Sequence, residues 1–187
     1  GSRTLARGDS KGASNGGSIR AIADLKSGTA TFKKGALVDV SGGKNGGNGG
    51  FAEVSGATVR LGGQFLGRAL TGFRGGQFLI DPIVSTVGPA DFASFEGSGA
   101  SEVTFQSPAG SDLTVTGKYN LGAGWALSGT PGTLNFLAGG NLIFDNAQLT
   151  NSNSLTRWDY VGIAGTGNVL FNNSVLVTGF GGNMTFT

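Results

Sequence analysis

Three short stretches of this chain hold side chains whose types and spacing could do chemistry. "RWDY", Arg157, Trp158, Asp159 and Tyr160, sets two aromatic rings beside opposite charges. Exposed, the rings could stack on a sugar face while the charges bond its hydroxyls. The plainer account, which we prefer, packs Trp158 over the fold and pairs Arg157 with Asp159. "RGD", Arg7, Gly8 and Asp9, is an integrin-type tripeptide, although three-letter matches are common by chance. "GGKNGGNGGF", Gly42 to Phe51, resembles the glycine-rich calcium nonapeptide, but Asn or Gly stands where a ligating aspartate is needed, so a wide glycine corner is the better account.

What the chain lacks narrows the chemistry further. It has no His and no Cys, which removes the usual proton carrier near neutral pH, thiolate nucleophiles, disulfides and Cys-ligated metals. Its eleven carboxylates form no close acid/base pair within a single motif, so an enzyme is not expected, nor a cofactor or metal. Carboxylates brought together by the fold are invisible at this level. Residues 1 to 80 hold eleven Lys/Arg against four Asp/Glu, whereas residues 81 to 187 hold two against seven. The basic half, with Lys33, Lys34, Lys44, Arg60, Arg68 and Arg74, could attract anionic glycans at long range, although a solvated surface is the commoner explanation. Nucleic acid is not expected, because no recognition motif is present and few aromatics accompany the basic residues. The lopsided charge favours head-to-tail self-association.

Any such groups must be held by an unusual scaffold. The 37 glycines among 187 residues leave few helix-length stretches free of a residue that costs about 1 kcal/mol in a helix interior. With 38% hydrophobic residues, including 13 Phe, the chain must nevertheless pack a core, and β structure follows. No apolar run approaches the roughly 18 residues of a membrane span, so the chain is not membrane-embedded by a helix. "GGQFL" occurs at Gly62–Leu66 and again 13 residues later at Gly75–Leu79; "DVSG" at Asp39 is answered by "EVSG" at Glu53. "GNLIF", "GNVLF" and "GNMTF" begin at Gly140, Gly167 and Gly182. These offsets lie near multiples of seven, and apolar residues alternate within each side, as at Val38 and Val40, Leu113 and Val115, and Leu134 and Phe136. The pattern predicts a right-handed parallel β-helix, a β-solenoid with three strands per rung of about 21 residues and roughly eight or nine rungs. Glycine pairs would supply positive φ at its corners, and Asn141, Asn168 and Asn183 would stack at equivalent corners. An antiparallel sandwich or barrel is the competing β architecture. Residues 1–17, a cloning remnant at Gly1-Ser2 followed by a polar stretch, are expected to form a mobile tail. Residues 18–187 form one domain, with a loop projecting near 151–161.

Residues 46–82, "GGNGGFAEVSGATVRLGGQFLGRALTGFRGGQFLIDP", resemble the filamentous-haemagglutinin-like exoproteins of bacterial two-partner secretion. The matching elements are Gly49, Gly50, Phe51, Glu53, Ser55 and Gly56, then Gly75, Gly76, Leu79, Ile80, Asp81 and Pro82. The resemblance implies a right-handed β-helix, passage through an outer-membrane partner transporter in an unfolded state, and work as an adhesin at the bacterial cell surface or as a secreted fibre. The implied ligand is a host or microbial surface glycan or protein. The Asn-Pro-rich motifs of the family's secretion domain have no counterpart, which places this chain beyond that domain. The role read from these features is a structural stalk or adhesive segment; the alternative is a polysaccharide-binding or polysaccharide-cleaving β-helix.

Overall fold

Val38, Val40, Leu113, Val115, Leu134 and Phe136 are all completely buried, so the two-residue alternation does mark an inward face. The computed structural model describes residues 1–82, 86–122, 132–152, 157–179 and 181–187, and it shows an all-β solenoid of parallel stacked coils with about five turns. The longest sheet holds seven strands: β2 (Ser18–Ile22), β5 (Phe51–Gly56), β8 (Gln77–Pro82), β10 (Glu102–Gln106), β12 (Gly132–Ala138), β14 (Trp158–Ala164) and β17 (Met184–Phe186). A second sheet stacks β9 (Thr86–Val87), β11 (Leu113–Asn120), β13 (Leu142–Thr150) and β15 (Val169–Asn172), with β16 (Val175–Leu176) also on β13. In the N-terminal half, β1 (Arg3–Leu5), β4 (Leu37–Asp39) and β7 (Gln64–Leu66) make a third sheet, and β3 (Thr29–Phe32) pairs with β6 (Thr58–Leu61). A single short helix, α1 (Pro89–Ala93), stands among the described residues. Through Ser94 and Ser98 carbonyls, the chain after it accepts bonds from Phe65 and Gly67 and so continues the stack below β7.

The coil is longer than expected. Along the long sheet Ser18 faces Phe51, Phe51 faces Gln77, Gln77 faces Glu102, Glu102 faces Thr133, Thr133 faces Asp159 and Tyr160 faces Met184, which makes each coil 24 to 33 residues. The corners account for the excess over 21, because segments such as 40–50 and 67–76 add turn residues between sides. Fewer turns follow than the eight or nine expected. "GNLIF" and "GNVLF" are successive coils of one sheet, with Leu142 opposite Val169 and Phe144 opposite Phe171, whereas "GNMTF" lies on another face, Met184 pairing with Tyr160. The two "GGQFL" copies lie on neighbouring faces, in β7 and β8. Both Phe rings point inward, Phe65 and Phe78 meeting edge to face at 5.5 Å. Their glycines do not have positive φ. They permit close approach instead, since a Cβ on Gly76 would sit 2.8 Å from Gly67 Cα.

Two expectations about segments are corrected. Residues 3–16 are part of the stack, with Ala6, Gly8, Ser14 and Gly16 donating backbone bonds to Asp39, Ser41, Gly46 and Asn48 at 2.8–2.9 Å. A polar segment can join an outer coil because the ladder needs only backbone partners. The projecting loop does not extend over 158–161, which belong to β14; residues 153–156 lie outside the described residues.

Inside the coils runs a chain of aromatic contacts. Phe32 meets Phe65 at 5.6 Å, Phe65 stacks on Phe95 at 4.9 Å, and Phe95 meets Phe105 at 6.0 Å. Phe105 then meets Phe136 at 6.1 Å, Phe136 meets Phe144 at 5.5 Å, and Phe144 meets Phe171 and Phe186 at 5.0 and 5.7 Å. The corners are tied from outside by side-chain carbonyls that accept the next coil's backbone N–H. Asn15 serves Asn48 (2.9 Å), Asn48 serves Arg74 (2.8 Å), Asp112 serves Asn141 (2.7 Å), Asn141 serves Asn168 (2.9 Å) and Asp159 serves Asn183 (2.8 Å). Asn141 and Asn168 thus share one ladder, and Asn183 belongs to a different one.

Candidate functional site

Strand alternation decides the fate of "RWDY". Trp158 and Tyr160 take the inward positions of β14 and are 0% exposed, while Arg157 and Asp159 face out. Gly132, opposite Trp158 in register, makes room for the indole: a Cβ there would lie 2.7 Å from the ring. The Tyr160 hydroxyl donates to the Val177 carbonyl at 2.8 Å, and burial pushes its phenol far above the ordinary range. Arg157 Nη2 lies 3.3 Å from Asp159 Oδ2, and Asp159 also holds the Asn183 N–H. A sugar-stacking platform needs an exposed ring face, which neither aromatic offers; the preferred packing-and-pairing account describes the site.

Arg7, Gly8 and Asp9 form one wall of a trough of about 940 Å3 on the outer surface of the third sheet. Leu5, Asp39 and Leu66 lie in one row across the three strands. The ladder continues beyond the strand ends, where Gly8 donates to the Ser41 carbonyl and Gly42 to the Arg68 carbonyl, both at 2.8 Å, so Arg7, Ser41 and Arg68 form the next row. The central strand carries short residues, Asp39, Ser41 and Gly43, between longer ones above and below. That size difference makes the trough. Asp39 is 5% exposed; its Oδ1 accepts the Ser41 N–H at 3.0 Å, and its Oδ2 lies 3.6 Å from Arg7 Nε. Asp9 Oδ1 accepts the Lys11 N–H at 2.8 Å. Arg68 Nε donates to the Gly97 carbonyl at 3.1 Å, and Lys44 stands exposed at the trough's end. The tripeptide therefore follows the end of β1 and extends its ladder through the Gly8 N–H.

The outer face of the long sheet gathers carboxylates that the sequence keeps apart. Glu53 accepts the Ser55 hydroxyl at 3.1 Å and lies 3.4 Å from Arg20 Nε. Glu102 accepts from Gln77 (2.7 Å) and Asn135 (3.1 Å). Asp81, opposite Ser55 in register, has one buried oxygen without a hydrogen-bond partner; partial burial first, and the Glu53 charge second, raise its carboxyl above the usual range. A carboxyl raised by burial and an ion-paired carboxylate on adjacent coils resemble in kind the split environments of acid/base pairs.

No protein-family model, curated protein or solved structure matches the chain.

The Gly42–Phe51 segment is a wide corner: Gly46 and Gly47 have φ of 134° and 117°, and Gly43 bridges Gly46. The charge division is finer than a positive end and a negative end. The last acidic residue is Asp159, and residues 160–187 carry no Lys, Arg, Asp or Glu, so the edge formed by β15, β16 and β17 is uncharged. Ser41, Asp39 and the leucines of the trough escaped sequence reading. Their signal is the spacing of Arg7, Ser41 and Arg68, 34 and then 27 residues, which has meaning only once the coil length is known.

Proposed function

We propose that this chain is a right-handed, three-sided β-helical segment of a secreted bacterial surface fibre, serving as a structural stalk or adhesive segment of the filamentous-haemagglutinin-like type. The observation that carries this reading is the aromatic chain from Phe32 to Phe186 inside parallel coils, which makes a column that resists bending. Seven strands of the long sheet, about 4.8 Å apart, give it a length of about 30 Å. Right-handed coiling is supported by the near-universal hand of parallel strand crossovers. Every named strand pair is a parallel one between successive coils, so each coil can fold onto the previous one as the chain emerges from a membrane pore. A chain without Cys carries no disulfide to obstruct threading through an outer-membrane partner transporter, and among the described residues no helix is long and apolar enough to cross a membrane.

The test places the chain behind a two-partner secretion domain in cells that carry the matching transporter. Antibody labelling of intact cells, abolished when the transporter is deleted, is the expected result. Retention in the periplasm with a functional transporter overturns the reading. A polysaccharide-binding or polysaccharide-cleaving role is favoured by one feature, the Glu53 and Asp81 carboxyls on adjacent coils. Turnover of an acidic polysaccharide, lost on Asp81→Asn, would replace the stalk reading.

A further inference from the structure

We infer that the trough along β4 is a docking site for an extended peptide carrying an acidic side chain between apolar ones, contributed by a partner protein. This goes beyond the fibre role and does not depend on the route of export. The trough runs along the strand direction, and its walls change character in two-residue steps. Leu5 and Leu66 face each other across Asp39; Arg7 and Arg68 face each other across Ser41; beyond the end of that ladder Asp9, Lys44 and Leu70 also line the trough. An extended peptide lying in the trough projects alternate side chains at this same pitch, about 6.8 Å. Its first apolar residue would meet Leu5 and Leu66, its acid would sit over Ser41 between the guanidinium groups, and its second apolar residue would meet Leu70.

Three features make the middle step selective for an anion. The carboxylate beside the middle step, Asp39, is engaged with the Ser41 N–H and Arg7, and Asp9, whose Oδ1 accepts the Lys11 N–H, stands further along the trough. Among the described residues the Arg68 side chain bonds the Gly97 carbonyl through Nε, which leaves its terminal nitrogens for an incoming carboxylate. The Ser41 oxygen accepts the Arg68 N–H at 3.0 Å, which leaves its proton free to donate. Gly43 also lines the trough, and its lack of a side chain admits the neighbouring backbone, since a Cβ there would lie 2.7 Å from the Gly12 carbonyl. Leu5 and Leu70, each 47% exposed, supply the apolar contact at either end.

The probe is a fluorescein-labelled, capped peptide, Thr-Leu-Thr-Glu-Thr-Leu-Thr, titrated with the full chain and followed by anisotropy. Saturable binding is expected, at least tenfold weaker when lysine replaces the central acid and weakened by added salt. Arg68→Glu should lower affinity at least tenfold, while Lys34→Glu, outside the trough, should leave it unchanged. Because Arg68→Glu could disturb folding, amide chemical shifts of the unaltered chain give an independent readout, with peptide-induced changes expected at Ser41, Gly43 and Lys44. Equal binding of the acidic and lysine peptides, shifts confined to other faces, or no binding at millimolar chain overturns the proposal. Displacement by an oligouronate of a shift pattern that the peptide cannot produce assigns the trough to glycan and overturns it as well.

Discussion

Replacing Phe136 by alanine probes the column at its middle. Phe136 is fully buried and touches three rings, Phe105 at 6.1 Å, Phe144 at 5.5 Å and Phe92 at 6.4 Å. Removing a buried phenyl group costs about 3–5 kcal/mol, the upper part applying where neighbours cannot collapse into the space. Here the neighbours are fixed by strand registers above and below, so a value near 4 kcal/mol is expected. Phe171, stacked on Phe144 at 5.0 Å but 49% exposed, is the control; with half the burial, Phe171→Ala should cost about 1–2 kcal/mol. Urea unfolding followed by far-ultraviolet circular dichroism measures both. Since each coil contacts mainly its neighbours, weakening the middle should also separate the halves, giving a broadened or two-step transition for Phe136→Ala alone. Equal costs for the two variants, or a Phe136→Ala transition as sharp and as late as that of the original chain, would refute a continuous core.

Acid titration of Asp81 gives a signed prediction. Its folded carboxyl keeps a proton to higher pH than the unfolded value of 3.8, so between those two points the native state binds more protons and stability falls as pH rises. Asp81→Asn should therefore stabilise the chain at pH 7 by less than about 1 kcal/mol, because the group is partly in water, with the gain vanishing below pH 3.8 in urea titrations. Gly75→Val should cost at least about 2 kcal/mol, since its Cβ would press on the backbone of Gly99 and Ser101; Gly72→Ala, with φ of 91° and nothing within 4 Å, should cost only about 1 kcal/mol by thermal melting. Tyr160→Phe leaves the Val177 carbonyl without its 2.8 Å donor and should cost about 1 kcal/mol in the same assay.

Strand positions were legible because alternation is a local property: Val38, Leu113 and Phe136 could be assigned inward from four or five neighbours. Coil length was not, because sides are short and similar while corners vary, and counting echoes near seven treats a 27-residue coil and a 13-residue step between faces as multiples of one unit. The glycine pairs illustrate a second limit. Positive φ and close backbone approach both demand glycine, and only the packing of Gly67 against Gly76 separates them. "RWDY" was ambiguous because the same four letters serve a surface platform or a buried strand, and the parity of Trp158 relative to the core decides between them. The trough and the Glu53/Asp81 pair could not be seen at all, since each joins residues from different coils.

Asparagine at the corners poses the remaining question, whether it ties coils together or merely tolerates a bend. Asn146 and Asn173 separate the two roles. They interrupt β13 and divide β15 from β16 with φ of 50° and 46°, and Asn173 Nδ2 donates to Asn146 Oδ1 at 2.9 Å. One coil earlier Gly117, with φ of 79°, marks the same corner at the register shift in β11. Asn146→Gly keeps the left-handed backbone and removes only the side-chain bonds, the one from Asn173 and the one that Asn146 Nδ2 donates to Asp145 Oδ1 at 3.2 Å, whereas Asn146→Ala removes both and adds about 1–2 kcal/mol for a left-handed non-glycine residue. If the ladder matters, Asn146→Gly should still cost about 0.5–1.5 kcal/mol despite its easier backbone, and a double change with Asn173→Ser should cost less than the sum of the two. A neutral or stabilising Asn146→Gly would show that this asparagine is there for the bend alone. The cohesion of the coils at this corner would then have to come from the aromatic interior and the backbone ladders.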